Sequence, residues 1–159
     1  MRSEDGIQAA SRFAEVLAVP FGRVMERTTL PPVRCPTVLC VDDAEEMLGF
    51  YQSLLGNYGY AVVVAEDGAK ALQLFQSGTQ LIDAVILDYQ MPAMTGLQLA
   101  VSLKTLDPEL PIMMVAGNGP RLEAMSPFVD AALPKGASIR EITDQLEALL
   151  EERSARLIS

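Results

Sequence analysis

From residue 35 onward the chain alternates short, unbroken apolar runs with longer segments of helical periodicity. Thr37–Val41, Tyr60–Ala65, Ala84–Leu87, Pro111–Val115 and Phe128–Leu133 read as strands. They lack the apolar–polar alternation of a half-exposed sheet, so both faces need cover. Between them lie helical patterns over Ala44–Tyr58, Ala69–Phe75 and Gly96–Leu106, the last with Thr95 as N-cap. A short helix ending near Ser126 follows. A final one, capped by Ser138, carries Ile139, Ile142, Leu146, Leu149 and Leu150 on one stripe. Strands and helices in strict alternation predict an α/β fold, a doubly wound three-layer sandwich around a five-stranded parallel sheet in order 2-1-3-4-5.

Two of these runs end in carboxylates. Val38-Leu39-Cys40-Val41 closes on Asp42 and Asp43, and Val85-Ile86-Leu87 closes on Asp88. Ionised groups at the end of a buried strand are costly unless a cation or proton meets them. In the 2-1-3-4-5 order, strands one and three flank the point where ligands bind, so the three aspartates converge in one crevice. A hard-oxygen set of this kind suits Mg²⁺. Lys135, at the end of strand five, is placed to neutralise a phosphoryl oxygen in the same crevice. The competing reading makes each aspartate a helix cap, with Asp43 before Ala44-Glu45-Glu46 the best candidate. That reading does not explain why all three stand at strand ends beside a lysine.

Composition removes other chemistries. The chain has no histidine, so it holds no His-dependent triad, His–metal site or imidazole base. Cys35 and Cys40 are too few for a disulfide framework, and Cys40 reads as a small core residue. Residues 1–34 hold five Arg and four acids, +1, whereas residues 35–159 hold seven Lys/Arg and seventeen acids, −10. So acidic a body is repelled by nucleic acid and by anionic membrane. With no long apolar run and no signal peptide, a cytoplasmic location is expected. Residues 1–34 read as an extension, with Ile7, Ala10, Phe13, Ala14 and Leu17 compatible with a short helix before a Thr- and Pro-rich linker. A tail translated from a start upstream of Met25 is preferred to a dedicated docking helix. The main domain is expected over 35–152, with a C-terminal tail over 153–159.

VLCVDD (38–43), LDYQMPAMTG (87–96) and LPKG (133–136) stand in the order and spacing of a known family. The chain over about 35–152 resembles the receiver domain of bacterial two-component response regulators, which has a flavodoxin-like fold. The resemblance implies that Asp88 is the phosphoacceptor, taking a phosphoryl group from a histidine kinase or phosphotransfer protein. Asp42, Asp43, Asp88 and the backbone carbonyl of Gln90 would hold Mg²⁺, and Lys135 would bind the phosphoryl oxygens. Such a domain catalyses only its own phosphorylation and dephosphorylation, is no enzyme for a separate substrate, and signals through contacts with a further protein. A haloacid-dehalogenase-like phosphatase is the enzymatic alternative, but Asp88-Tyr89-Gln90 lacks that mechanism's second aspartate.

Three positions depart from the family pattern. The hydroxyl expected at the end of strand four is replaced by Ala116, the aromatic three before the lysine by Ala132, and the proline after it by Gly136. A hydrogen bond to a charged phosphoryl oxygen contributes about 1.5–3 kcal/mol. Its loss predicts retained phosphorylation with weakened switching, unless the Gly117-Asn118-Gly119 segment supplies another donor. The alternative is a pseudo-receiver whose contacts ignore phosphorylation.

Overall fold

A computed structural model describes residues 34–117, 121–125 and 127–158. The expected N-terminal helix and linker, Asn118 and Gly119 lie outside the described residues. Five strands, β1 (Thr37–Val41), β2 (Ala61–Ala65), β3 (Ala84–Asp88), β4 (Ile112–Ala116) and β5 (Ala131–Pro134), form one parallel sheet in order β2-β1-β3-β4-β5. The helices are α1 (Glu45–Asn57), α2 (Gly68–Ser77), α3 (Gly96–Leu106), α4 (Leu122–Met125) and α5 (Ile139–Ile158). Every residue of β1 and β3 is buried, as unbroken apolar runs in a doubly covered sheet require.

Side chains alternate across the sheet and divide the core in two. Leu39, Val41, Val85, Leu87, Ile112 and Met114 pack with Ala71 of α2 and with Leu99, Ala100 and Leu103 of α3. Val38, Cys40, Ile86, Met113 and Val115 face the other way, onto Leu48, Tyr51 and Leu55 of α1 and Ile142, Leu146 and Leu149 of α5. Each fully buried Leu among them contributes about 1.5–3 kcal/mol of transfer free energy.

Helix starts follow local chemistry. Thr95 and Gln98 form a reciprocal box at α3, Thr95 Oγ1 accepting from Gln98 N at 3.2 Å and Gln98 Oε1 from Thr95 N at 2.9 Å. Ser138 and Glu141 do the same at α5. The α1 cap is Ala44, without a side-chain bond, and not Asp43. Helix α2 starts one residue earlier than its pattern suggested, because Asp67 accepts from Lys70 N at 2.7 Å.

Several boundaries shift by a residue or two from expectation, and the start of one strand shifts further. Strand β5 begins at Ala131, not Phe128. Phe128 and Val129 are apolar and pack into the core, but they do so from a turn, in which Phe128 N donates to Met125 O. Sheet pairing starts only after Asp130 N reaches Ile112 O at 2.8 Å. Pro134 is tolerated within the strand because β5 is an edge. Helix α5 runs beyond Leu150, the last residue of its apolar stripe, to Ile158, and there Arg153 pairs with Asp107 at 3.1 Å and Arg156 with Glu109 at 3.3 Å.

Candidate functional site

Register brings the three carboxylates together. Val41 pairs with Ala65 on one side and Leu87 on the other, so Asp42 leaves β1 beside the end of β3, where Asp88 is the last residue. Asp42 is only 2% exposed. Its Oδ1 accepts from Ala44 N at 2.8 Å, which turns the chain out of the strand and into α1. Asp43, next in sequence, is exposed. Asp88 is 2% exposed, and its Oδ1 accepts from Gln90 N at 3.3 Å. Gln90, the expected carbonyl ligand, is thereby anchored at the same edge.

Asp88 is held from above by a glycine. Gly96 N donates to Tyr89 O at 2.9 Å, bringing the start of α3 against the end of β3. A Cβ added at Gly96 would collide with the Asp88 carbonyl oxygen and lie 2.9 Å from Met114 Sδ and 3.0 Å from Tyr89 Cα. The preceding turn passes through Ala93 in a left-handed conformation, φ 67°, at a cost of about 1–2 kcal/mol for a residue with a Cβ.

From the opposite side Lys135, just past β5, sets its ammonium 3.3 Å from Asp88 Oδ1 and 3.4 Å from Oδ2. Its side chain is 45% exposed while the Asp88 carboxylate is buried, so the lysine can swing while its partner cannot. Oxygens of Asp42, Asp43 and Asp88 lie within 4.8 Å of one another. Three carboxylates and one ammonium leave a net charge of −2, the complement of one divalent cation. Octahedral coordination at about 2.1 Å spaces ligand oxygens roughly 3.0 or 4.2 Å apart, so the set fits a hard cation of that size.

The electrostatics carry the same message. Burial pushes the Asp42 carboxyl above its ordinary range, opposed by the Ala44 N–H and Lys135 and reinforced by Asp88 and Asp43. A carboxyl raised in the fold binds protons more tightly there than in the unfolded chain. Stability therefore falls as pH rises from the unfolded value through the folded one, and the penalty is fully present above the folded value. Asp42→Asn keeps an oxygen for Ala44 N but removes the charge. The variant is expected to melt a few degrees higher in chelator, for a gain on the order of 1 kcal/mol. Excess Mg²⁺ is expected to stabilise the wild type by about 2.7 kcal/mol at a hundred times the dissociation constant, and so to raise its midpoint, but not that of the variant. Equal Mg²⁺ shifts in melting curves of the two proteins would remove Asp42 from any cation site.

Ala116 ends β4 and is half-buried opposite Pro134 of β5; Ala132, also half-buried, packs on the α2–α3 side of the core. Neither offers a polar atom to the crevice. Cys40 is wholly buried, and its thiol is pushed far up by burial and by Asp42, as befits an inert core residue. One group escaped the sequence reading. Tyr51 on α1 is 2% exposed and senses the charges of Asp42 and Asp88, yet an aromatic at helical spacing gives no signal beyond core.

The profile of the response regulator receiver domain matches residues 38–147. Among curated proteins, the response regulator MprA of Mycobacterium sp. (strain KMS) is 32% identical over 126 residues, 77% of this chain and 53% of that protein. The autoinducer 1 sensor kinase/phosphatase LuxN of Vibrio campbellii is 30% identical over 122 residues, 76% of this chain and 14% of its own length. The chain thus spans about half of one relative and a small part of the other. Among solved structures, a receiver domain protein from Clostridium thermocellum superposes with a TM-score of 0.71 at 22% identity, over 76% of this chain and 98% of that one. The response regulator TrrA of Thermotoga maritima, solved in complex with Mg²⁺ and BeF, gives 0.66 at 28% identity, over 72% and 98%.

Proposed function

The chain belongs to the response regulator receiver domain family, and we propose that it is a Mg²⁺-dependent phosphoacceptor in which Asp88 takes the phosphoryl group. The observation that carries this reading is the buried Asp88 carboxylate, flanked by two further aspartates within 4.8 Å and touched by the half-exposed Lys135 ammonium. A carboxylate oxygen of Asp88 attacks the phosphorus of a phosphohistidine on a kinase or phosphotransfer protein. The P–N bond breaks, its electron pair leaves with the imidazole, which takes a proton from solvent, and an acyl phosphate forms on Asp88. Lys135 follows the charge, exchanging the carboxylate for the phosphoryl oxygens, as its exposed stem allows. Asp42, Asp43, Asp88 and the Gln90 carbonyl would hold Mg²⁺, which when bound offsets charge on the transferring oxygens.

The domain acts on no separate substrate in this reading and passes its signal to a further protein. Its acidity favours neither nucleic acid nor membrane as a partner. A cytoplasmic location is part of this reading. Among the described residues no helix is long and apolar enough to cross a membrane. Switching through β4 and β5 is weakened, because Ala116 and Ala132 cannot bond or follow the phosphoryl group. The same two alanines favour a second reading, a pseudo-receiver whose contacts ignore phosphorylation.

Intact-mass measurement after incubation with Mg²⁺ and a small acyl phosphate or phosphoramidate separates the two. The expected result is an acid- and base-labile gain of about 80 Da, lost with chelator and absent from Asp88→Asn. No adduct with any donor would leave the pseudo-receiver reading in its place.

A further inference from the structure

We propose that Tyr51 takes over the reporting role that Ala116 and Ala132 cannot perform, coupling the phosphorylation state of Asp88 to helix α1 through a cavity it shares with Lys135. The inference rests on the phosphoacceptor reading above and goes beyond it by assigning the route of the response.

Tyr51 is 2% exposed, and its hydroxyl has no hydrogen-bond partner among the described residues. Every fully enclosed side-chain polar atom among those residues does have a partner, so the Tyr51 hydroxyl must border open space. That space is a cavity of about 230 Å³ lined by Met47, Tyr51, Val115, Lys135, Gly136 and Ile142. The space beside Gly136 is open, since a Cβ there would meet nothing within 4 Å. Side chains of a helix lean toward its N-terminus, and the N-terminus of α1 lies at the carboxylate edge. Burial above all, and then the neighbouring Cys40, Asp42 and Asp88, keep the Tyr51 hydroxyl protonated. Its ring is fixed edge-on against Phe50, with centroids 5.8 Å apart at 72°.

A buried, protonated donor without a partner, next to a cavity that reaches Lys135, is placed to respond to charge. Phosphorylation takes the group at Asp88 from one negative charge to nearly two and draws Lys135 toward it. A donor hydrogen bond strengthens when its acceptor is ionised. The cavity is wide enough for water to relay that bond from the Tyr51 hydroxyl to the Lys135–phosphoryl pair. The pull is exerted on α1, which packs here on the sheet and α5, so the response leaves the site by α1 and the β5–α5 turn and not by β4.

The test uses the full chain carrying 3-fluorotyrosine, observed by fluorine NMR before and after phosphorylation by a small phosphodonor, with intact mass recorded on the same samples. Tyr51, Tyr58, Tyr60 and Tyr89 are assigned by single Tyr→Phe variants. The expected result is a phosphorylation-dependent shift of Tyr51, and in Tyr51→Phe an unchanged melting temperature and adduct yield, with amide shift changes along α1 reduced at least twofold. Adding Ala116→Thr to Tyr51→Phe is expected to move the response to β4. An adduct with a silent Tyr51, or α1 changes that survive Tyr51→Phe, overturns the inference and leaves the phosphoacceptor reading standing. No adduct at all overturns both.

Discussion

Gly96→Ala is expected to destabilise the domain by at least about 3 kcal/mol and to abolish phosphoryl acceptance in whatever fraction still folds. The added methyl group would meet the Asp88 carbonyl oxygen and the Tyr89 Cα, both backbone, and neither can rotate away. Relief requires α3 to lift off the end of β3. That movement breaks the Gly96 N to Tyr89 O bond and shifts Asp88, the residue before Tyr89. Gly68→Ala supplies the control. Its methyl group meets mainly the Met94 thioether sulfur, at 2.6 Å, the far part of a flexible side chain that can turn aside. An alanine there also gains up to about 1 kcal/mol of helix propensity at the start of α2. Urea denaturation of both variants checks the contrast. Similar midpoints for the two would mean that the close approach at Gly96 is not what seats the helix.

Lys104→Met is expected to cost about 3 kcal/mol without altering the chemistry at Asp88. The Lys104 ammonium is one-tenth exposed and donates to Leu110 O at 2.7 Å and to Asp130 Oδ2 at 2.8 Å. The same Oδ2 accepts from Ile112 N at 2.8 Å. One partly buried ion pair thus ties the end of α3 to the starts of β4 and β5. Methionine fills the volume of the lysine stem but leaves the carboxylate short of its cation and the Leu110 carbonyl without its donor. With an m-value near 1.5 kcal/mol/M the urea midpoint would fall by roughly 2 M. Asp130→Asn in the Lys104→Met background is expected to recover part of the loss, because it removes the uncompensated charge. A double variant as unstable as the sum of the singles would show that the two side chains do not act as a pair.

The topology was legible in the sequence because its determinants are local. Continuous apolar runs specify doubly covered strands, and the Thr95 and Ser138 boxes specify helix starts, all within a few residues. The three carboxylates were legible for a related reason, since their position at strand ends is a property of each run taken alone. What stayed hidden depends on partners distant in sequence. The Phe128–Val129 pair reads as strand by composition, yet Asp130 stops the ladder by reaching Ile112 and Lys104, 18 and 26 residues away. The extension of α5 to Ile158 depends on Arg153 meeting Asp107 and Arg156 meeting Glu109. Tyr51 is the sharpest case, because nothing in its spacing distinguishes a filled contact from a hydroxyl left facing a cavity.

The strands that join these features are short, four or five residues each. At about 3.3 Å per residue a strand separates the two sheet edges by roughly 16 Å, beyond the 7–10 Å within which substitutions usually interact. One edge gathers repelling carboxylates around Asp88; the other is closed by matched pairs at Lys104, Arg153 and Arg156. Free-energy changes at the two edges should therefore add. The independence runs one way: substitutions at Lys104, Arg153 or Arg156 reset tolerance of heat and leave the carboxylate edge alone, whereas substitutions at Asp42 or Gly96 alter that edge and tolerance of heat together.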